Sequence, residues 1–582
     1  MSRRGTLAGL VAVVLALAGC STVPTSSPTV QITQVPSRQD ADVGIEPLAP
    51  EAGASPEEIV RGFIDASASS GRGHPVAREY LTSSAQESWA DDGGVTVIQP
   101  GFATVTRDKG VVRLSARTVG TVDERGIFSV GGERFVRDFT VERVGREWRI
   151  ADPENGLVVL EPDFERVYDQ LNAYFLDPTG KRVVPDPRYL VVGEAQPTAL
   201  VQRLFEGPSP TLRAGVDNPV EGLALRRPVT VEGSTATVDL TGLPTEPDPP
   251  LEQICAQLVW TLTQVRIRSV EVLVEGEPVG LARVPRAQTT DDWAAYDPDA
   301  VPVDAVGHYV DEKGALRTAP DGDRAPGPAG KGVYDLVSAA AASDATSGQL
   351  SFLAAVTSPD RAGDSSLLAG PYGGELAAVL PGSRSLTPPT VAATRPEIWT
   401  VRNGTAVVRV LPGAAPQEVT ASSLAGLGAV TALQLSPDGV RAALVIDGST
   451  GPLLYLGTVV RSEEGAVVLG DMREVNPAIH DAVDVTWRQS DTLMLLADNP
   501  SGDAVVPYEV AVDGWGLSEV PTSGLPADAT TIAAAPNQEP LVSAGDPDGP
   551  GVPTIWRLIG VTWVTLVLGA PPQRGTEPFY PL

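Results

Sequence analysis

The chain has 582 residues, with 43 Lys and Arg against 73 Asp and Glu, a formal net charge of -30 and a mean hydropathy near zero. So acidic a surface repels phosphate backbones, which argues against nucleic-acid binding, and it offers no overall attraction to anionic headgroups. Two cysteines, Cys20 and Cys255, leave no intrachain disulfide framework once Cys20 is committed elsewhere, and the length is enough for roughly three domains of ordinary size.

The chain opens with Arg3 and Arg4, then an apolar run over residues 7–18, then Gly19-Cys20. The run has the size of a signal-peptide core and falls short of the roughly 20 residues a spanning helix needs. Residues 1–19 are therefore expected to be a signal peptide. Leu17-Ala18-Gly19-Cys20 resembles the lipobox of bacterial lipoproteins. That resemblance implies diacylglycerol on Cys20, cleavage before it, and anchorage of the chain to the extracytoplasmic face of the plasma membrane. Two acyl chains give lasting attachment where one is marginal. The competing reading is an ordinary secreted protein whose cleavage site carries a cysteine. Residues 21–50 are rich in Ser, Thr, Pro and Gln without apolar periodicity and read as a flexible tether.

The first folded segment is expected over residues 51–162. Ser55-Pro56-Glu57-Glu58 has the form of a capping box with proline in the first turn, and Ile59, Val60, Phe63 and Ile64 share one face of the helix that follows. A second short helix is expected over residues 75–81, then strands at 111–122, 126–130, 134–143 and 147–150, the last two joined at Gly145-Arg146. Helices followed by a meander ending in "GREWRIAD" resemble small NTF2-like α+β domains.

The second segment is expected over residues 163–290. It reads as a hairpin of 172–176 with 182–185, a helix at 198–206 stopped by Gly207-Pro208, a hairpin around Glu232-Gly233-Ser234, a helix at 251–265 and a strand at 270–274. Cys255 falls on the apolar face of that last helix, which predicts a buried, inert thiol. The ordered strings "AYFLDPTG", "RLFEGPS", "ATVDL" and "AQLVWTL" resemble the GerMN domain of spore-germination proteins, and Asp239 within them reads as a turn cap.

The third segment, residues 301–582, contains a degenerate repeat whose clearest copy is "VTALQLSPDGVRAALVI" at 430–446. Related copies lie at 337–356, 390–404, 483–498 and 530–545, spaced by about the length of one four-stranded propeller blade. The hairpin "GHYVDEKGAL" at 307–316 is placed to close a ring against the C-terminal strands. The expected fold is therefore multidomain: two N-terminal α+β domains followed by an all-β propeller of about five to six blades. An open array of β-sandwiches is the alternative. The apolar residues 559–570 are too short to span a membrane and read as a buried strand.

Chemistry-bearing motifs are sparse. His74, His308 and His480 lie far apart without metal-ligand spacing, and Asp546-Pro547-Asp548-Gly549 lacks the terminal acid of a calcium loop. No catalytic, cofactor-binding or metal site is expected, and the one assigned site is lipidation at Cys20. Trp399, Trp487, Trp515, Trp556 and Trp563 read as propeller core; the alternative is a set of stacking faces for a cell-wall glycan in the propeller channel.

The order of lipobox, tether, NTF2-like segment, GerMN-like segment and propeller resembles the LpqB lipoprotein family of actinobacteria across essentially the whole mature chain. That resemblance implies an accessory of the MtrA–MtrB two-component system, binding the extracellular domain of the MtrB sensor kinase in cell-wall homeostasis and cell division. It implies a protein partner and no enzymatic activity.

Overall fold

The computed structural model describes residues 47–108, 110–244, 249–302, 305–344, 347–462, 464–545, 553–567, 569 and 571–582. The signal segment with Cys20, the tether up to residue 46 and the 546–549 loop lie outside the described residues.

The N-terminal part begins with helix α1, Pro56–Ser67, started by a complete capping box. Ser55 Oγ accepts from the Glu58 amide at 3.3 Å, and the Glu58 carboxylate accepts from the Ser55 amide at 2.7 Å. Such a cap contributes about 1 kcal/mol by satisfying amides that the helix leaves free. Ile59, Val60, Phe63 and Ile64 are buried in one core with Val112, Leu114, Phe139, Val141 and Ile150 of the sheet beneath. The central path of that sheet runs Glu147–Asp152, Arg134–Val144, Val111–Val122, Val95–Ile98, Leu157–Leu160, with Ala103–Asp108 and Phe128–Val130 also paired to the long third strand. The expected strands are present, and Gly145 makes the tight turn with positive φ. Val95–Ile98, Leu157–Leu160 and the short helix Ser83–Ser88 are additions to the sequence reading. The two strands pair in parallel and are buried almost throughout, so neither shows the alternation that marks a half-buried strand.

The second part opens with a hairpin longer than expected, Tyr168–Leu176 against Val183–Val191, in register over nine pairs. Its return arm carries Pro185, Asp186, Pro187 and Arg188, which disguise it as a loop in the sequence. The Asp177 carboxylate organises the turn by accepting from the amides of Thr179, Lys181 and Arg182 at 2.8–3.0 Å. Helix Gln196–Phe205 ends at Gly207, φ 88°, and Pro208 as the sequence implies. Thr235–Thr241 pairs in parallel with Ser269–Val274, and the helix Leu251–Leu262 supplies the crossover. Cys255 lies wholly buried on that helix.

Among the described residues the C-terminal part contains five four-stranded antiparallel sheets and one three-stranded sheet. Each of the five repeat copies forms the first two strands of a four-stranded sheet: Leu336–Ser343 with Leu350–Thr357, Thr390–Val391 with Ile398–Arg402, Ala429–Leu435 with Arg441–Gly448, Ala482–Gln489 with Thr492–Asp498, and Ala529–Ala533 with Leu541–Ala544. The first strands and the C-terminal strand Gly575–Phe579 neighbour one another around a closed ring. The hairpin of His308–Asp311 and Leu316–Thr318 pairs with Gly575–Phe579, so the two ends of the segment build one sheet together. That closure makes this part a propeller rather than an open array of sandwiches. The segment 559–570 corrects the sequence reading: it is not one buried strand. Thr554–Ile559 and Thr562–Thr565 turn through Gly560, φ 63°, and Val561 is exposed at the tip.

Candidate functional site: the domain junction and the inner ring

All described residues belong to one compact unit, and a buried polar network joins its parts. In the return arm of the second part's hairpin, Arg188 is completely shielded from solvent. Its Nη2 donates to Asp186 Oδ2 at 3.0 Å and to the Gly207 carbonyl at 3.1 Å, and its Nη1 donates to the Pro187 carbonyl at 2.9 Å. Asp186 Oδ2 also accepts from the Ser209 amide at 2.6 Å. Burial by itself raises the Asp186 carboxyl, but Arg188 and the Ser209 amide hold it below the usual carboxylate range. From the propeller, Arg441 Nη2 donates to the Pro185 carbonyl at 2.5 Å, and Thr458 Oγ1 to the Thr211 carbonyl at 2.7 Å. In return, Arg182 donates to the Pro437 carbonyl at 3.2 Å, on the Ser436-Pro437-Asp438-Gly439 turn that marks the clearest repeat.

Along the same junction three carboxylates meet the hairpin and the 289–302 segment. Asn172 Nδ2 donates to Asp491 at 2.7 Å, the Ser490 amide to Asp299 at 2.6 Å, and the Tyr189 hydroxyl to Asp513 at 3.1 Å. Burial pushes both Asp299 and Asp513 up to about 6. Next to Asp513, Trp515 leaves the propeller and stands edge-on to Phe128, Phe164 and Tyr189, with ring centroids 5.1, 5.1 and 5.6 Å away. One indole thus touches an aromatic ring from each of the two N-terminal parts.

The inner ring holds two carboxylates on its innermost strands, Asp484 and Glu577. Asp484 accepts from the amides of Val485 at 2.9 Å and Ile532 at 2.8 Å. Burial raises both acids well above the carboxylate range, and the Asp484 charge raises Glu577 further.

The remaining sequence candidates are structural. His308 is buried, donates from Nδ1 to the Val306 carbonyl at 2.8 Å, pairs through Nε2 with the Tyr372 hydroxyl at 2.7 Å, stacks on Phe579, and is pushed down to about 4 by burial. His74 faces Asp91 at 2.8 Å, and His480 is exposed. Among the described residues no group of three or more His, Cys, Asp and Glu is arranged to hold a metal ion. Asp239 caps a turn by accepting from the Gly276 amide at 2.9 Å. Trp399, Trp563 and Trp487 are 0 %, 1 % and 5 % exposed, so they are core residues rather than stacking faces. The sequence did not single out Asp186, Arg188, Asp484 or Glu577. Charged residues inside otherwise apolar strand runs were the available signal, and the abundance of acids drowned it.

This is a multidomain, mostly β architecture: two α+β parts joined to a C-terminal propeller through buried polar and aromatic contacts. Family models match it in the same order: "Lipoprotein LpqB, N-terminal domain" at residues 49–165, "Sporulation and spore germination" at 172–280, and "Lipoprotein LpqB beta-propeller domain" at 314–550. Lipoprotein LpqB of Rhodococcus opacus is 32 % identical over 91 % of this chain and 90 % of its own length. Lipoprotein LpqB of Mycobacterium tuberculosis is 32 % identical over 90 % of each. The chain belongs to the LpqB lipoprotein family. Among solved structures, TolB from Acinetobacter baumannii is similar over 62 % of this chain and 99 % of its own, at 12 % identity and a TM-score of 0.36. The first GerMN domain of GerM from Bacillus subtilis is similar over 21 % of this chain and 98 % of its own, at 21 % identity and a TM-score of 0.18.

Proposed function

We propose that the chain is a non-enzymatic, lipid-anchored regulator on the extracytoplasmic face of the plasma membrane, attached through diacylglycerol on Cys20. In this reading residues 1–19 are removed, residues 20–50 form the tether, and the three folded segments begin near 51, 163 and 301. Its partner is the extracellular domain of an MtrB-like sensor histidine kinase, and the process served is cell-wall homeostasis and cell division. The observation that carries the reading is the junction: Arg441 bonds the Pro185 carbonyl across it, Trp515 packs on rings of both N-terminal parts, and Asp186 with Arg188 stiffens the hairpin between them. A scaffold built this way presents a fixed outer surface to a protein. Of the five tryptophans that a glycan-binding channel would use as stacking faces, Trp399, Trp487 and Trp563 are buried, which weighs against that alternative.

The test is crosslinking in intact cells followed by capture of the kinase ectodomain with the purified chain. Expected is a saturable complex that disappears when the propeller is undocked by Trp515→Ala and persists on single substitution of exposed acids. Absence of any complex between the purified ectodomains at high concentration would remove the kinase-partner reading.

A further inference from the structure

The chain-wide charge conceals a local reversal. Between residues 103 and 152, ten Arg and Lys stand against eight Asp and Glu. Strand register gathers part of that excess onto one surface. Ala103 lies opposite Ser115, and Val105 opposite Arg113. On the other side of the central strand, Arg117, Ser115 and Arg113 lie opposite Arg134, Val136 and Asp138. Because alternate residues point to one face, these eight side chains share the side of the sheet turned away from α1. The opposite set packs inward, with Thr104 bonded to Arg61 of α1 at 2.9 Å and Leu114 and Phe139 buried beneath the helix.

Asp138 is already neutralised, since Arg113 Nε donates to it at 2.6 Å. Arg117 and Arg134 are different. They are directly opposed on adjacent strands, both are exposed, and among the described residues no carboxylate lies within ion-pair distance of either. Like charges in that relation destabilise a sheet, so the pair is a cost to the fold without an internal compensation. Both guanidinium groups line a cavity of about 310 Å³ walled by Gln99, Gly101, Phe102 and Ser115. Beside it, Val105 and Val136 are 57 % and 45 % exposed. Paired arginines over a small polar hollow, flanked by apolar side chains, match a phosphate headgroup with the acyl boundary beneath it.

The chain enters the fold immediately before α1, and Glu57 in its first turn accepts from the Thr106 amide at 3.1 Å on the strand that also carries Val105. The chain thus enters on the α1 side, its Gly53 amide donating to Glu147 at 2.8 Å, and a tether as long as residues 21–50 leaves the opposite face free to turn toward the membrane. We infer that the outer face of the N-terminal sheet, centred on Arg117 and Arg134, docks on anionic phospholipid headgroups and so orients the tethered body on the membrane. The inference rests on the anchorage reading above and deepens it. The acidic remainder does not cancel the attraction, because charges more than about 8 Å from the surface are largely screened at physiological salt.

The test uses the full mature chain carrying Cys20→Ser, so that no acyl chain contributes, in sedimentation with phosphatidylglycerol or phosphatidylcholine vesicles. Expected is partitioning onto phosphatidylglycerol alone that weakens with salt. Arg117→Gln with Arg134→Gln lowers it roughly thirtyfold at a melting temperature no lower than the unsubstituted chain's, whereas the Lys pair retains most of it. Equal binding to both vesicles, no binding to either, or indifference to the Gln pair would overturn the assignment. So would saturable binding of inorganic phosphate without vesicle binding, which makes the hollow a site for a soluble anion. Palmitate labelling of the unsubstituted chain in cells reads the Cys20 anchorage separately, so the failure of one is distinguishable from the failure of the other.

Discussion

Trp515→Ala cuts the contact in which the three parts meet. The indole makes three edge-on aromatic pairs, with Phe128, Phe164 and Tyr189, and each is worth about 0.5–1.5 kcal/mol beyond area burial. Truncating a buried tryptophan costs about 3–5 kcal/mol; Trp515 is only partly buried, so the lower end applies, about 3 kcal/mol. Remaining ties between the N-terminal sheet and its neighbours are the Phe128–Tyr189 ring pair, with centroids 5.6 Å apart, and polar contacts such as Arg125 to the Gly207 carbonyl at 2.7 Å and the Tyr189 amide to the Gly126 carbonyl at 2.8 Å. A loss of that size raises the undocked population roughly a hundredfold. Scanning calorimetry of the mature chain is expected to show the N-terminal transition moving down and separating from the propeller's, with protease sensitivity rising around residues 160–166. Trp515→Phe, which keeps a ring in the cluster, is expected to restore most of the coupling. A single transition at the wild-type temperature, with an unchanged digestion pattern, would refute the reasoning.

Three further outcomes are expected. Arg188→Met leaves the Asp186 charge buried without its partner and costs about 3–5 kcal/mol by urea unfolding, and combining it with Asp186→Leu recovers much of the loss. Asp299 and Asp513 have folded values raised by burial to about 6, above the roughly 3.9 of an unfolded aspartate. Their stabilisation is therefore complete below about pH 4 and lost as pH rises through about 6, so Asp299→Asn and Asp513→Asn should each stabilise the chain near pH 7.5 by about 2 kcal/mol and gain nothing near pH 4; equal effects at both pH values would contradict this. Cys255, buried with its thiol pushed up to about 11, should resist aromatic disulfide reagents until the protein is denatured, and rapid native labelling would show the helix to be open.

The sequence by itself determined the elements whose signal is local. The Ser55 capping box, the Gly207-Pro208 helix stop, the Gly145 turn and the Ser436-Pro437-Asp438-Gly439 repeat each rest on backbone chemistry within a few residues, and all stand where they were expected. It also set the order of two α+β parts and a propeller, because repeat spacing and apolar periodicity survive without tertiary contacts. What it left hidden depends on residues that separate elements bring together, in one case from positions hundreds apart. Val95–Ile98 and Leu157–Leu160 are strands because they pair with each other, and Val95–Ile98 also with Val111–Val122, inside a core. Arg188 and Asp186 read as loop residues until Gly207 and Ser209 close around them. Trp515 looks like one more propeller tryptophan until Phe128 and Phe164 arrive from the other end of the chain. Likewise Arg117 and Arg134 dissolve into a net charge of -30 until strand register sets them side by side, since charge acts through distance in space and the sequence records only distance along the chain.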